Sequence, residues 1–111
     1  MKRINIAKNF SRYPAGRYIS EGPFSGERFR EEVLFPILDD IVKSKADDTI
    51  LIELDGTRGY GSSFLEEAFG GLIRRGLTYD DVKSHLVFET KDSSLKKEIE
   101  LYLREAGLGG R

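Results

Sequence analysis

The sequence predicts a single α/β domain in which strands and helices follow one another in the order β-β-α-β-α-β-α. Its length of 111 residues suits one hydrophobic core. The nearly continuous apolar run at residues 49–54 is typical of a strand covered on both faces. Apolar residues repeat with helical spacing on either side of that run, and helices that connect strands in this way imply a partly parallel sheet.

The first two predicted strands are short. Ile4 and Ile6 alternate with Arg3, Asn5 and Ala7 in a run that ends near Phe10, the period of a strand with one buried face. A second short strand is predicted over residues 17–19, because turn-forming proline and glycine residues lie on both sides of it.

The first long helix is predicted from apolar residues that recur every fourth position. Ser25 is the predicted N-cap, because serine is a preferred capping residue and lies just before the first apolar residue of the stripe. Pro36 lies inside the stripe and lacks an amide donor, so we expect a kink over residues 32–36. The stripe consists of Phe29, Val33, Ile37 and Ile41.

A glycine-rich loop after the central strand leads into the second long helix. Ser63 and Glu66 have the spacing of a capping box, in which the serine side chain caps the helix and the glutamate returns to the serine amide. Gly76 is predicted to end the helix in a Schellman motif, with Leu72 and Leu77 in contact. Its apolar face consists of Phe64, Leu65, Ala68, Phe69, Leu72 and Ile73.

The last third of the chain predicts a short turn capped by Thr78, a strand over residues 86–90 and a final helix. That helix is marked by apolar residues from Leu95 to Ala106 and ends at Gly107. We therefore predict one domain over residues 1–107 and a short flexible tail over residues 108–111.

The composition excludes several classes of function. Eighteen basic and nineteen acidic residues give a net charge of −1, which offers no general attraction to nucleic acid. Cysteine is absent and His85 is the single histidine, so thiolate metal sites and a Cys–His pair are excluded. No apolar run is long enough for a membrane span or a signal peptide, and we expect a cytoplasmic protein.

The loop from Gly56 to Ser63 is the most informative segment. Three glycines at the carboxyl end of a central strand lead directly into a helix, a place where anions bind readily. Gly59 and Gly61 are therefore anion-binding candidates. The loop lacks the lysine of a phosphate-binding P-loop and the full G-x-G-x-x-G spacing, so a tight turn followed by a cap is favoured over a nucleotide site.

A second set of anion-binding candidates lies before the first long helix. Arg17 and Arg28 lie near the loop at residues 22–26, which contains Ser25 and enters a helix in the same way, so the loop could bind an anion or an acidic peptide. The geometry of a helix entry accounts for this loop without any ligand.

Residues around the first loop are candidates for contact with a partner. Ser62 and Ser63 stand at the predicted helix N-terminus, where added phosphoryl charge meets a favourable dipole. Arg58 and Tyr60 are the other partner-contact candidates. Asp55 is interpreted as turn chemistry, although it could also bind a cation or a hydroxyl group.

Gly70 and Gly71 interrupt the second helix and call for a reason beyond helix propensity. Close packing against another backbone is the simpler interpretation, and a flat surface for a partner is the alternative. No catalytic residue is predicted, because no nucleophile is accompanied by a base in a recognisable pattern.

Two stretches carry a family resemblance. They are R-Y-x-S-E-G-P-F-S-G-E-x-F-R-E-E over residues 17–32 and L-D-G-T-R-G-Y-G-S-S-F-L-E-E-A-F-G-G-L over residues 54–72. The chain resembles the STAS-like domain family of unknown function and, more distantly, the STAS domains of anti-sigma factor antagonists. That resemblance implies a four-stranded mixed sheet with helices packed largely on one side.

The resemblance also implies a function. STAS antagonists place a regulatory serine at the start of the helix after the central strand, and Ser62-Ser63 takes that place here. Gly61 stands where those domains have an aspartate. The implied partner is a kinase-like ATPase or an anti-sigma-type regulator.

The sequence thus predicts a non-enzymatic regulatory protein-binding module without a cofactor, a membrane contact or a nucleic-acid partner. The alternative is a small-ligand or nucleotide sensor that binds an anion at the glycine-rich loop.

Overall fold

The structure is a computed structural model that describes residues 1–109, with Gly110 and Arg111 outside the described range. Three strands form one parallel sheet in the order β1-β2-β3. They are β1 (Lys2–Asn5), β2 (Ile50–Glu53) and β3 (Leu86–Glu89). Arg3, Leu51 and Val87 are aligned across the sheet, so β2 is the central strand, as predicted.

The helices are numbered α1 to α5 along the chain. The short helix α1 covers Ile6–Asn9, α4 covers Tyr79–His85 and α5 covers Ser93–Gly107. The first strand therefore ends at Asn5 and not near Phe10, because the Asn5 side chain accepts the Lys8 amide and caps α1. Helix α2 (residues 26–43) consists of Gly26–Arg28, a π-helical segment Phe29–Leu34 and Phe35–Lys43. Helix α3 (residues 62–74) consists of Ser62–Leu65, a π-helical segment Glu66–Gly70 and Gly71–Arg74.

The predicted second strand is wrong. Residues 17–19 lead into a 3₁₀ turn, Ile19–Glu21. The amides of Arg17 and Tyr18 both donate to the Glu21 carboxylate, at 2.7 and 2.9 Å. Because a local carboxylate takes these donors, they are not available to a sheet. The sheet of the described chain therefore has three parallel strands instead of four in a mixed arrangement.

The start of α2 and its irregular segment were both visible in the sequence. Ser25 is the N-cap and its Oγ accepts the Arg28 amide at 3.1 Å, as predicted. The Phe35 amide donates to the Arg30 carbonyl, five residues back, immediately before Pro36. A proline ring collides with the carbonyl four residues earlier in an α-helix, and the wider π-helical turn relieves that collision.

The predicted capping box of α3 is wrong. Gly61 is the N-cap, and no side chain caps this end of the helix. Ser63 is the second helical residue, and the Glu66 carboxylate bonds Arg17 and Arg74 instead of the serine amide. Two buried or half-buried guanidinium groups form stronger, charge-assisted hydrogen bonds than a backbone amide does.

The predicted end of α3 is confirmed. Gly76 has a φ of +118°, in the left-handed region that favours glycine. Its amide donates to Ile73 at 3.0 Å, and the Leu77 amide donates to Leu72 at 3.3 Å. These two bonds are the pair that defines a Schellman motif.

The core lies between one face of the sheet and the helices. Sheet residues enter it from alternate positions, namely Ile4, Ile50, Ile52 and Leu86, together with half-buried Phe88. Leu51 is buried, as predicted, at 7% exposure, but it points to the opposite face and is not part of this cluster. The aromatic residues at the centre are Phe29, Phe64 and Phe69.

The last turn of α5 extends into the predicted tail. The amides of Leu108 and Gly109 donate to Arg104 and Ala106, both at 3.1 Å. The other two residues of that predicted tail lie outside the described range, and the domain boundary at residue 107 stays a prediction. Within residues 1–109, no helix combines the length and the apolar character that a membrane span requires.

Candidate functional site

The loop between β2 and α3 is held in place by main-chain hydrogen bonds. The Arg58 amide donates to the Arg12 carbonyl at 2.8 Å, which fixes the loop to the segment after α1. Gly59 has a φ of +121°, and its amide donates to the Thr57 hydroxyl at 3.2 Å. The loop therefore has a defined shape before any partner binds.

Tyr60 forms the inner wall of this loop. Its hydroxyl donates to the Leu54 carbonyl at 2.6 Å, and its ring lies 5.8 Å from the Phe64 ring. Burial raises the pKa of Tyr60 to about 12, because the phenolate is disfavoured away from water. Tyr60 thus anchors the loop to the core and leaves one edge facing an open pocket.

The pocket lies between the loop and the beginning of α5 and has a volume of about 300 Å³. Three carboxylates line it, those of Asp55, Asp92 and Glu98. The other lining residues are Leu54, Gly56, Thr57, Gly59, Tyr60, Ser94 and Leu95. The pocket is therefore acidic and suits a cationic group better than an anion.

Hydrogen bonds hold two of these carboxylates in their ionised form. Asp55 accepts from the Thr90 hydroxyl at 2.5 Å and from the Lys91 amide at 2.9 Å. Both bonds lower the pKa of Asp55. The Ser94 hydroxyl and amide lower the pKa of Asp92 in the same way. Asp55 therefore binds a hydroxyl group of the protein itself, that of Thr90.

The candidate contact residues lie around the pocket. Ser62 is the exposed first residue of α3, whereas Ser63 is half-buried. Arg58 is exposed, with its guanidinium 5.8 Å from the centre of the Tyr13 ring. Burial raises the pKa of Tyr102 to about 12, and the hydrogen bond to the Glu98 carboxylate adds to this effect. A hydrogen bond with Ser62 lowers the same pKa. Ser62 therefore lies beside Tyr102 of α5, whose hydroxyl donates to Glu98 at the wall of the pocket.

The two sets of anion-binding candidates are not brought together. Gly59 borders the pocket, and Gly61 is the N-cap next to Ser62. Ser25 is fully buried as the cap of α2, and Arg17 is bonded to Glu66. The loop at residues 22–26 thus has the geometry of a helix entry, and its candidate cation already has a carboxylate partner.

Sequence reasoning missed a buried ionic cluster, which we define as Arg17, Arg30, Glu66, Glu67 and Arg74. Arg74 bonds both Glu66 oxygens, at 2.6 and 3.0 Å, and Arg17 reaches Glu66 at 2.5 Å. Burial alone would lower the pKa of Arg17, but the two glutamates raise it. Glu66 likewise raises the pKa of Arg74. The ionic cluster joins the segment before α2 to the middle of α3.

Gly70 and Gly71 make room for the ionic cluster. A Cβ atom on Gly71 would overlap the Arg30 guanidinium, and one on Gly70 would lie 2.7 Å from a Glu66 oxygen. Both glycines are closely packed, but the predicted neighbour is wrong: charged side chains lie against them instead of another backbone. The available signal was a pair of adjacent glycines one helical turn after two adjacent glutamates, within an otherwise apolar helix.

His85 makes a structural contact. The His85 ring lies with its Nδ1 2.9 Å from the Asp48 carbonyl oxygen, which ties α4 to the loop before β2. The part of the chain that the structure describes contains no group of three or more His, Asp or Glu residues placed to hold a metal ion.

The loop and all the pocket residues except Glu98 lie within a segment that matches a known family. A family model described as a STAS-like domain of unknown function (DUF4325) matches residues 25–96. The chain belongs to this family. In this STAS-like domain the matched region begins at the N-cap of α2, includes the loop and α3, and ends within α5. No curated protein and no solved structure matches the chain.

Proposed function

We propose that this STAS-like domain is a non-enzymatic regulatory module that binds another protein through the loop at residues 56–63 and the acidic pocket beside it. One observation carries the proposal. The exposed side chains of Arg58 and Ser62 lie on a loop that main-chain bonds hold in a defined shape. A preformed surface of this kind binds a partner with little loss of conformational freedom.

The pocket supports a partner of particular chemistry. Its three carboxylates would meet an arginine or lysine side chain of the partner favourably, since opposite charges attract strongly at a partly buried interface. The family resemblance at Ser62 adds the expected class of partner, a kinase-like ATPase or an anti-sigma-type regulator.

Ser62 supports a regulatory role because of its position. A phosphoryl group on this exposed serine would bring a charge of about −1.5 to −2 to the pocket rim. It would meet the favourable N-terminal end of α3, so the fold would tolerate it. A partner that presents an acidic surface would be repelled, and one that presents a basic surface would be held more tightly.

The test compares the wild type with Ser62→Asp for binding to a protein recovered by affinity capture. We expect the affinity to change at least tenfold while the melting temperature stays nearly constant. The control for added charge is Ser44→Asp, at the exposed C-cap of α2 near the opposite end of the sheet, which should bind as the wild type does. Its melting temperature should fall, because a carboxylate there opposes the helix dipole. Equal affinities for all three proteins would remove Ser62 from the interface.

An anion or nucleotide sensor is the second candidate, favoured by the uncapped N-terminus of α3. No side chain accepts from its first amides, which leaves donors available to an anion. The three carboxylates of the pocket oppose this reading. A rise in melting temperature with micromolar ATP or GTP, lost in Arg58→Ala, would decide for the sensor.

A further inference from the structure

A basic groove runs between α4, β3 and α5, away from the acidic pocket. It has a volume of about 330 Å³ and is lined by Lys83, Phe88, Lys96, Lys97, Glu100 and Arg104. Lys83 pairs with Glu100 at 3.0 Å. Within residues 1–109, Lys96, Lys97 and Arg104 form no ion pair, so the groove keeps an excess of positive charge in a chain whose net charge is −1.

The floor of the groove is the outer edge of β3. The Glu89 carbonyl accepts the Leu54 amide at 3.0 Å, so the backbone amide and carbonyl of Glu89 face β2. Because neighbouring strand residues point their amide and carbonyl groups in opposite directions, both groups of Phe88 face outward. The adjacent Leu86 amide is already bonded to Val82 within the end of α4. Phe88 is therefore an open pairing position beside a row of cations.

The other edge of the sheet is partly blocked. The outward-facing Asn5 amide of β1 donates to the Asn9 side chain at 2.7 Å. Natural proteins block sheet edges in such ways because an open edge recruits other strands. Each edge has one blocked outward amide, Asn5 on β1 and Leu86 on β3, and what distinguishes β3 is the basic groove beside Phe88.

We propose that the groove binds an extended acidic peptide segment of a protein partner, which adds a strand beside β3 through the backbone of Phe88. Alternate side chains of such a strand point to opposite faces. Those on the helical side meet Lys96, Lys97 and Arg104 and are acidic. Those on the other side lie beside Val87, which is 42% exposed, and are apolar. The recognised pattern is thus acidic–apolar–acidic.

The groove suits a peptide better than a nucleic acid. An added strand uses the free amide and carbonyl of Phe88, which a phosphate backbone cannot pair with in the same way. Three unpaired cations are few for nucleic-acid binding, whose affinity rises with the number of phosphates that are neutralised. This surface is separate from the pocket beside Ser62, so the inference does not depend on the function proposed above.

A labelled octapeptide that alternates Glu and Val tests the charge requirement by fluorescence anisotropy. We expect saturable binding that weakens with salt, and none for the peptide that alternates Lys and Val. Lys96→Glu should weaken binding about five- to tenfold, because it turns one attraction into a repulsion. Lys8→Glu, an exposed lysine on α1, is the charge-matched control and should bind normally. Unaltered affinity in Lys96→Glu would overturn the proposal.

Amide hydrogen exchange tests the backbone pairing independently. The Phe88 amide should exchange more slowly once the Glu–Val peptide is bound, because it becomes a donor to the added strand. The Val87 amide faces β2 and should be protected in both states. If the peptide bound without any change at Phe88, or if a single-stranded oligonucleotide displaced it at lower concentration, strand addition by an acidic peptide would be refuted.

Discussion

Arg30 donates from a single nitrogen to two oxygens of Glu67, the backbone carbonyl at 2.7 Å and the side-chain carboxylate at 2.6 Å. Both side chains are about nine-tenths buried. The two residues lie in the π-helical segments of α2 and α3, so this contact joins the irregular parts of the two helices. The two charge-assisted hydrogen bonds offset the free-energy cost of removing the guanidinium from water.

Replacing Gly71 by alanine should destabilise the protein by about 1–3 kcal/mol, because the added methyl group overlaps the Arg30 guanidinium. On an open helix the same change would stabilise by about 1 kcal/mol. Urea denaturation measures the difference. Gly61→Ser is the control, since no atom lies within 4 Å of its added Cβ and serine is a good N-cap. A more stable Gly71→Ala protein would contradict the packing described above.

Arg30→Met should lower the free energy of unfolding by about 3–5 kcal/mol, because Glu67 would lose a principal partner in a buried site. The double variant Arg30→Met/Glu67→Gln should recover part of this loss, since the unpaired charge is then removed as well. A double-mutant cycle measured by urea denaturation gives the coupling between the two residues. Simple additivity would show that the contact contributes no coupling to folding.

The caps of the two long helices predict that alanine substitution lowers stability at Ser25 but hardly changes it at Ser63. Ser25→Ala should cost about 0.5–2 kcal/mol, because it deletes the oxygen that accepts the Arg28 amide. Ser63→Ala should change stability by less than about 0.5 kcal/mol, because Ser63 is not the cap of α3. Comparable losses in thermal denaturation would restore the capping box that the sequence suggested.

The pH dependence of Asp55 follows from its two hydrogen bonds. Its pKa is held below the ordinary value by the Thr90 hydroxyl and the Lys91 amide, so the folded state favours the carboxylate. The resulting stabilisation is present above the unfolded pKa of about 3.9 and is lost as pH falls through the folded pKa. Thr90→Val should raise the pKa of Asp55 toward the ordinary value in a carboxyl-carbon NMR titration. An unchanged pKa would mean that Thr90 does not hold the carboxylate.

Local patterns predicted the parts of the fold that depend on neighbours in the sequence. The buried run of β2, the cap at Ser25 and the glycine that ends α3 were all readable, because each depends on a few adjacent residues. The segment at residues 17–19 was not, because its extended pattern gives no sign that the Glu21 carboxylate takes two of its amides.

The ionic cluster shows why the rest of the site was hidden. Glu66 looked like the second half of a capping box, and only the fold brings Arg17 within reach of it, 49 positions away in sequence. The acidic pocket likewise combines the loop after β2 with residues of the following loop and α5. Spacing along one chain contains no information about such pairs. The loop between β2 and α3 was predicted, because it lies within one continuous segment, but the helix begins at Ser62, before the predicted cap at Ser63.

The most direct measurement for the proposed function is site-specific photo-crosslinking in the cells that make the protein. A photoreactive amino acid is placed at Arg58, at Ser62 or, as a control, at Lys43, which is exposed on α2. The account predicts a covalent adduct with the same protein from positions 58 and 62 and none from position 43. Absence of any adduct from positions 58 and 62, together with a nucleotide-dependent rise in melting temperature, would contradict it.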